Sequence, residues 1–266
     1  MVKTEIHIIG LGNLGSAFLE GFTSFDENYL IKVYELNNDI LEIYKNKYPE
    51  YKYHTNLDEV KSGVLILCVK PQTINNIFDQ IKDTIHEDVL ICSPIAGLDI
   101  DHISKSINNK IIRIMPNLLI RNNKGFIPYS KNYDDDYLDF IQLTLNNLGD
   151  TKEFSEKYFP VITALSGSGP AWFFALSNEL VKAGKKLGLS NQESELLVNK
   201  IINGLPDLIS SGDRFPELIK KVKSPKGTTE AGLNSLQNDS FDTIILDAIE
   251  KATQRSIELS KELKSE

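Results

Sequence analysis

The stretch IHIIGLGNLG, residues 6–15, decides the fold of this chain. Its isoleucines predict a short strand, and its glycines fit the pattern G-x-G-x-x-G. The pattern alone is weak evidence, but here it follows a strand and opens a helix, as a dinucleotide-binding turn does. Gly10 allows the tight turn, Gly12 lets the backbone approach a pyrophosphate, and Gly15 lets the helix pack close to the strand. The alternative is a strand–helix turn that binds no ligand.

Strand and helix patterns alternate through the rest of the first half. Further strands are predicted at residues 31–34, 64–69, 89–92 and 111–114, and helices at residues 16–23, 38–48 and 73–85. Such alternation is typical of a parallel sheet with crossover helices. We therefore expect an open α/β domain of the Rossmann type.

The second half has a different pattern, with no convincing strand after residue 157. Apolar residues recur there at helical spacing, first at Trp172, Leu176, Leu180, Ala183 and Leu187. We predict a Rossmann dinucleotide-binding domain at residues 1–156 and an all-α domain at residues 157–266.

Glu35 ends the predicted second strand, 20 positions after Gly15 (35 − 15). An acid at this place bonds the ribose hydroxyls of NADH and repels the 2′-phosphate of NADPH. No arginine follows, since the next residues are Leu36, Asn37 and Asn38. Glu35 therefore favours NADH, with use of either cofactor left open. The alternative is a solvated carboxylate at the end of a strand.

Composition narrows the class of protein. The net charge of −8 argues against a general nucleic-acid binder. No signal peptide is evident, and the longest clean apolar run, residues 64–69, is far too short to span a bilayer. The four histidines are scattered without the spacing of metal ligands. We expect a cytoplasmic protein with no membrane, nucleic-acid or metal partner.

Five stretches then point to a family. They are VKPQ at 69–72, IAG at 95–97, RIMPN at 113–117, TALSGSGPA at 163–171 and VKSPKGTT at 222–229. With the glycine turn, they make residues 6–259 resemble the pyrroline-5-carboxylate reductase family. The resemblance implies proline biosynthesis by hydride transfer from NADPH or NADH to the C=N bond of 1-pyrroline-5-carboxylate, giving L-proline. It also implies a helical domain that interlocks two subunits in a homodimer, often assembled further into a decamer.

The turn at residues 224–229 has a physical rationale of its own. A helix predicted at residues 228–237 begins there with hydroxyl residues, and backbone N–H groups at a helix start can hold a carboxylate. We expect Ser224, Gly227 and Thr228 to bind the substrate anion. By resemblance, Thr229 reaches the substrate nitrogen or carboxylate, and Thr229 and Ser224 are the catalytic candidates. The alternative is a plain helix cap.

The remaining site candidates bind the cofactor. Lys70 follows the central strand at its carboxyl end, where ligands of α/β sheets gather, although a solvated lysine fits there equally well. Asn117 ends another strand and is a candidate partner of the nicotinamide carboxamide. Asn56 is placed near the adenosine ribose by resemblance alone. The full predicted set is Gly10, Gly12, Asn13, Leu14, Gly15, Glu35, Asn56, Val69, Lys70, Pro71, Ala96 and Asn117.

The segment SGSGP at residues 166–170 interrupts a helical run. Glycine costs about 1 kcal/mol within a helix, so its presence needs a reason. Close approach of the backbone to a neighbour or to the bound ligands is one reason, and a simple kink at Pro170 is the other.

Three departures from the family pattern leave alternatives open. Leu118-Leu119 stand where the family usually has Thr-Pro, Lys226 stands where it has glycine, and Pro206 interrupts a predicted helix. The first departure allows a non-catalytic or altered-substrate paralogue. A 3-hydroxyacid dehydrogenase relative is a further alternative, with its base among Lys182, Lys185 and Lys186.

Overall fold

The computed structural model describes residues 3–57, 59–134, 144–210 and 212–265. The chain forms two compact units, Met1–Gly169 with Glu250–Glu266 and Pro170–Ile249. The first is built on a sheet and the second is helical, which confirms the predicted fold class. The first unit ends thirteen residues after the predicted domain boundary at residue 156 (169 − 156). It also includes the C-terminal segment Glu250–Glu266. The functional division at 156/157 stays a prediction.

The first unit contains an eight-stranded sheet in the order β3-β2-β1-β4-β5-β6-β7-β8. The strands are β1 Thr4–Ile9, β2 Tyr29–Tyr34, β3 Lys52–His54, β4 Val64–Leu67, β5 Leu90–Ser93, β6 Ile111–Ile114, β7 Gly125–Lys131 and β8 Gly149–Glu153. The first six strands are parallel, β7 runs antiparallel to β6, and β8 runs parallel to β7. The order 3-2-1-4-5-6 is that of a Rossmann sheet, whose ligands bind at the carboxyl edge where the strand order reverses. In this sheet the strand order reverses between β1 and β4, so the expected ligand site lies at the carboxyl ends of these two strands.

Both faces of the sheet are buried, as the unbroken apolar run of β4 predicts. Val64 and Ile66 belong to one hydrophobic cluster and Leu65 and Leu67 to the other. The helices of this unit are α1 Asn13–Phe22, α2 Asn38–Lys47, α3 Ile74–Ile81, α4 Ile100–Ser106 and α5 Phe159–Ile162. The sequence did not predict β3, β7, β8 or α4.

The remaining helices are α6 Gly169–Lys186, α7 Asn191–Ile209, α8 Phe215–Val222, α9 Thr228–Asn238 and α10 Phe241–Ser265. A capping box of Ser190 and Glu193 starts α7, and Pro206 lies within α7 without ending it. Large apolar side chains of α6 are solvent-exposed in the single chain, with Phe173 at 69% and Phe174 at 65%. Faces of this kind mark surfaces that another element or subunit covers.

Among the described residues, one helical stretch, Glu156–Lys186, is long and apolar enough to cross a bilayer by length and composition alone. The sequence analysis predicted no such stretch because it counted only uninterrupted runs of apolar residues. In Glu156–Lys186, glycine, serine and proline interrupt the apolar residues without making the stretch strongly polar. A single stretch is weak evidence, because a core helix of a soluble protein passes the same test. Phe159 and Ala164, in its first part, are fully buried in the first unit.

Asn123 joins three parts of the first unit. Its backbone is left-handed, with φ of 57°. Its amide Nδ2 donates to the carbonyl oxygens of Gly21 at 2.8 Å and Asn147 at 2.9 Å, and its Oδ1 accepts from Ser24 at 3.1 Å. Asparagine is among the few residues other than glycine that tolerate this backbone conformation. The residue therefore ties α1 to the segment that precedes β8.

We predict that Asn123→Ala lowers the free energy of unfolding by about 3–4 kcal/mol. Each lost hydrogen bond costs about 1 kcal/mol, and alanine at positive φ costs about 1 kcal/mol more. Urea unfolding monitored by circular dichroism measures this loss. Asn123→Gly, which removes only the hydrogen bonds, should lose less, and the exposed Asn122→Ala should stay within about 0.5 kcal/mol of the wild type. Equal stability of the Asn122 and Asn123 variants would contradict the assignment.

Candidate functional site

The glycine turn has the geometry that the sequence predicts for Gly10 and Gly15. Gly10 has φ of +92°, and a Cβ there would lie 2.6 Å from the carbonyl oxygen of Cys68, just after β4. Its N–H donates to the carbonyl oxygen of Tyr34 at 2.8 Å. A Cβ at Gly15 would overlap the carbonyl oxygen of Gly10. The start of α1 is therefore packed tightly against β1 and β4.

Gly12 is different, because neither packing nor backbone conformation requires a glycine there. Its φ is −64°, which any residue adopts, and it caps the start of α1. Among the described residues, no atom lies within 4 Å of the position that its Cβ would take. The open space lies at the N-terminus of α1, where backbone N–H groups favour a phosphate. Glycine is a favoured N-cap residue, and here it also leaves room for the close approach of a ligand.

Glu35 lies directly beside the glycine turn. Its Oε2 accepts a hydrogen bond from the Leu11 N–H at 2.7 Å, and its Oε1 accepts one from the Asn37 N–H at 2.8 Å. Asn37 in turn caps α2 by accepting from Asp39 and Ile40. The carboxylate is thus held by two backbone donors at the carboxyl end of β2, rather than extended into solvent. A carboxylate fixed there can bond a ribose and repel an added phosphate.

The other predicted cofactor residues follow the carboxyl ends of the strands. Asn13 and Leu14 lie in the first turn of α1, and exposed Asn56 follows β3. Val69, Lys70 and Pro71 follow β4, and the Val69 side chain would lie 3.4 Å from a Cβ on Gly10. Ala96 follows β5 and Asn117 follows β6. The fold therefore brings the predicted set to one edge of the sheet, while the contacts of each residue with a cofactor stay predictions.

Asn117 has a structural task that the sequence did not predict. Its Oδ1 accepts from the Leu119 N–H at 3.0 Å, and its Nδ2 donates to the carbonyl oxygen of Ser166 at 3.0 Å. The side chain is buried and links the end of β6 to the SGSGP segment. An amide nitrogen has two donors, so one remains for the predicted nicotinamide carboxamide. Leu118 and Leu119 are both about half exposed in the 3₁₀ turn that Asn117 caps.

The segment 166–170 shows a close approach at one of its two glycines. Thr163–Gly167 form a π-helical turn, a feature common at functional sites. A Cβ on Gly167 would lie 3.3 Å from the Met115 sulfur, so the glycine gives the Met115 side chain room. Pro170 lies in the first turn of α6, where proline is tolerated. Close approach thus accounts for Gly167, whereas among the described residues a Cβ on Gly169 would have no neighbour within 4 Å, so both interpretations stay open.

The turn at residues 224–229 opens α9 without a hydroxyl cap. Gly227 is the N-cap residue and has no side chain to bond the first turn. Thr228 and Thr229 are therefore the first two helical residues, and both are exposed. The Gly227 N–H donates to the carbonyl oxygen of Ser224 at 3.0 Å, and a Cβ on Gly227 would overlap the Ser224 hydroxyl oxygen. Simple capping thus does not account for the threonines.

Lys226 occupies a conformation that suits glycine. Its φ is 58°, in the left-handed region. Its N–H donates to Glu230 Oε2 at 2.7 Å, and Lys223 Nζ lies 3.1 Å from Glu230 Oε1. The hydrogen bond from the Lys226 backbone, followed by that from Lys223, lowers the pKa of Glu230. The departure from the family pattern therefore places a strained lysine in the turn, and Glu230 stabilises that turn.

A buried ion pair near the carboxyl edge was missed by the sequence analysis. Arg113 is only 5% exposed, and its Nη1 lies 2.8 Å from Glu156 Oε1. Its guanidinium lies 4.5 Å from the centre of the Phe159 ring. Burial lowers the pKa of Arg113, and the bond to Glu156 opposes that effect. The other three residues of β6 are isoleucines. An arginine within such a buried strand indicates that a partner for its charge is buried with it.

In the part of the chain that the structure describes, no group of three or more His, Cys, Asp or Glu side chains could hold a metal ion. Lys182, a candidate base of the rival dehydrogenase, is exposed and pairs with Glu179 at 2.7 Å. Lys182 is therefore one partner of an ion pair on the surface of α6.

Comparison with known proteins agrees with this geometry. Residues 156–259 match the family model for pyrroline-5-carboxylate reductase dimerisation, and residues 5–97 match that for NADP oxidoreductase, coenzyme F420-dependent. A pyrroline-5-carboxylate reductase of Staphylococcus aureus is 31% identical over 94% of this chain and 96% of its own length.

The chain belongs to the pyrroline-5-carboxylate reductase family. Two solved structures of that name agree over nearly the whole fold. The Plasmodium falciparum protein, with NADP bound, has a TM-score of 0.82 at 27% identity and covers 96% of this chain and 99% of its own. The Coxiella burnetii protein has a TM-score of 0.84 at 27% identity and covers 97% of this chain and 99% of its own. The family assignment makes this chain an NAD(P)H-dependent oxidoreductase and confirms the resemblance.

We predict that Glu35→Gln lowers the ratio of kcat/KM for NADH to that for NADPH by about tenfold or more. Like charges about 4 Å apart repel by roughly 4 kcal/mol at an effective dielectric of 20, so tenfold is a modest share of that energy. Glutamine keeps one acceptor oxygen, enough for the Leu11 N–H, and loses the bond from the Asn37 N–H together with the charge. Steady-state kinetics with both cofactors measure the ratio. A wild type that strongly prefers NADPH, with the preference unchanged in the variant, would refute the role of Glu35.

We predict that Lys226→Gly raises the free energy of unfolding by about 0.5–1 kcal/mol. Relief of the left-handed strain, about 1–2 kcal/mol, exceeds the added backbone entropy of glycine, about 0.5–1 kcal/mol. Lys226→Ala is the matched control, since it removes the same charge and keeps the strain. Urea unfolding of the three proteins should show stabilisation in the glycine variant alone. Equal stability of the glycine and alanine variants would mean that the turn is unstrained.

Proposed function

We propose that this chain is a pyrroline-5-carboxylate reductase that reduces the C=N bond of 1-pyrroline-5-carboxylate to give L-proline, a reaction of proline biosynthesis. The observation that carries the proposal is the start of α9, where Gly227 serves as the cap and leaves Thr228 and Thr229 at the first two helical positions. Those hydroxyls and the N–H groups of the helix start suit a small carboxylate. Family membership supplies the reaction.

In this proposal the 224–229 turn binds the substrate. Ser224, Gly227 and Thr228 hold the carboxylate through backbone N–H and hydroxyl groups. Thr229 donates to the carboxylate or contacts the ring nitrogen, and so orients the imine carbon. A protonated cyclic imine is already electrophilic, so positioning can supply much of the rate, up to about 7–11 kcal/mol for well-oriented reactants. Ser224 and Thr229 are thus the catalytic candidates in the sense of contact with the substrate.

The cofactor site of the proposal lies at the carboxyl edge of the sheet. The glycine turn would hold the pyrophosphate, and Gly12 provides the space for it. Glu35 would bond the adenosine ribose, which favours NADH over NADPH. When bound, the reduced nicotinamide supplies the hydride that the imine carbon accepts. Asn56, Val69, Lys70, Pro71, Ala96 and Asn117 are proposed to complete this site.

The proposed assembly is a homodimer formed by the helical half, residues 157–266, with the Rossmann half at residues 1–156. The family model for dimerisation over residues 156–259 supports this division. The exposed apolar side chains of α6, such as Phe173, are suited to burial between subunits. A decamer made of five such dimers and a cytoplasmic location are further parts of the proposal. Size-exclusion chromatography with light scattering distinguishes these assemblies.

The proposal is tested by turnover. The purified protein should oxidise NADH, and NADPH more slowly, when pyrroline-5-carboxylate is supplied, and the product should be L-proline. Reactions with 3-hydroxyacids and NAD⁺ serve as controls for the dehydrogenase alternative. A folded protein that binds NADH but does not turn over the imine would defeat the proposal and favour a non-catalytic or altered-substrate paralogue.

Within that assay, Thr229→Val should lower kcat/KM for the imine by about tenfold to a hundredfold. A hydrogen bond to a charged group contributes roughly 1.5–3 kcal/mol, and valine keeps the shape of threonine. The Kd of NADH should stay unchanged. The matched control is Thr243→Val, the same substitution at an exposed threonine of α10. A Thr229→Val variant with wild-type kinetics would remove this residue from the site.

A further inference from the structure

The loop that follows β5 is in contact with the end of the chain. Gly97 has φ of +82°, and a Cβ there would lie 3.0 Å from the backbone carbon of Leu259 and the backbone nitrogen of Ser260. The last turns of α10 therefore pack directly on the backbone of this loop. Both segments belong to the first compact unit. The loop, residues 95–99, is the same segment that holds the cofactor candidate Ala96.

Two side chains of α10 fix this contact. Leu263 is only 4% exposed and belongs to the hydrophobic cluster that includes Ile95 and Leu98 of the loop. Lys264 Nζ lies 2.5 Å from Asp99 Oδ2, the last residue of the loop. Burial would raise the pKa of Asp99, but the hydrogen bonds from Lys264 and the His102 N–H, together with the nearby charges of Lys264 and Arg113, outweigh burial and lower it.

The far end of the loop has further contacts besides the one with Lys264. Asp99 caps α4 by accepting from the His102 N–H at 2.9 Å. Glu156 Oε1 accepts from the Ile100 N–H at 2.9 Å while it pairs with Arg113. The loop is thus held at its glycine by α10 and at its end by two carboxylates. Its position at the carboxyl end of β5 is one where ligands of such sheets bind.

We propose that Leu263 and Lys264 are positioning residues for the reduced cofactor, which they affect by holding the 95–99 loop at the carboxyl edge of the sheet. The inference rests on the proposed function in so far as the loop contacts the cofactor. It extends the site to the last turns of α10, which act through this loop.

The test is direct titration of NADH into the full-length protein, followed by nicotinamide fluorescence, with no substrate present. Lys264→Met and Asp99→Asn should each weaken binding by about threefold, since partly exposed ion pairs contribute modestly. Asparagine keeps the cap of α4. The double variant should lose about threefold rather than about ninefold, because the two changes remove one interaction. Lys264→Arg should bind like the wild type, as should Lys261→Met, an exposed lysine of the same helix.

Leu263→Ala provides a stronger perturbation, with an expected loss of about tenfold in NADH affinity. The KM for the imine should change less than twofold in every variant. A general loss of structure would change this KM as well. Wild-type NADH affinity in all the variants, fully additive losses in the double variant, or equal losses in Lys261→Met would each overturn the inference. Because binding is measured without turnover, a failure of the imine reaction is seen separately from a failure of this positioning role.

Discussion

The close packing of α1 against β1 and β4 is the constraint on which the first unit depends. A Cβ on Gly15 would overlap the Gly10 carbonyl oxygen, and one on Gly10 would lie 2.6 Å from the carbonyl oxygen of Cys68. The helix can start this close to the strands only because both positions lack side chains. Its first N–H groups then lie at the carboxyl edge where the strand order reverses, and the Leu11 N–H reaches Glu35. One steric requirement thus fixes both the sheet packing and the candidate phosphate site.

Much of the fold was predictable because the central strands are buried on both faces. The apolar run of β4 is an example, since its alternate residues enter opposite clusters. The strands β7 and β8 were not predictable in this way. Pro128 lies within β7, but the sheet uses only its carbonyl oxygen, which accepts from the Met115 N–H at 2.8 Å. The sequence GDTKE of β8 looks like a loop, yet β8 is an edge strand, where charged residues are expected.

The candidate site was predictable where one short stretch carries the chemistry, as in the glycine turn and residues 224–229. It was not predictable where the contact joins distant segments. Asn117 looks like a ligand-binding amide, but its bond to the Ser166 carbonyl spans 49 positions of sequence. The contact between Lys264 and Asp99 spans 165 positions (264 − 99) and leaves no local pattern at all. Spacing rules describe neighbours on one element, so contacts of this kind require the folded chain.

Lys226 shows how a departure in sequence need not be a departure in shape. A lysine at φ of 58° is strained, and by local preference alone the turn would relax to another conformation. It is held instead by two hydrogen bonds, one from the Lys226 N–H to Glu230 and one from the Gly227 N–H to the Ser224 carbonyl oxygen. Both use backbone donors that a glycine at 226 would offer equally. The turn therefore keeps the geometry that glycine favours, and what the substitution adds beside the proposed carboxylate site is a positive charge.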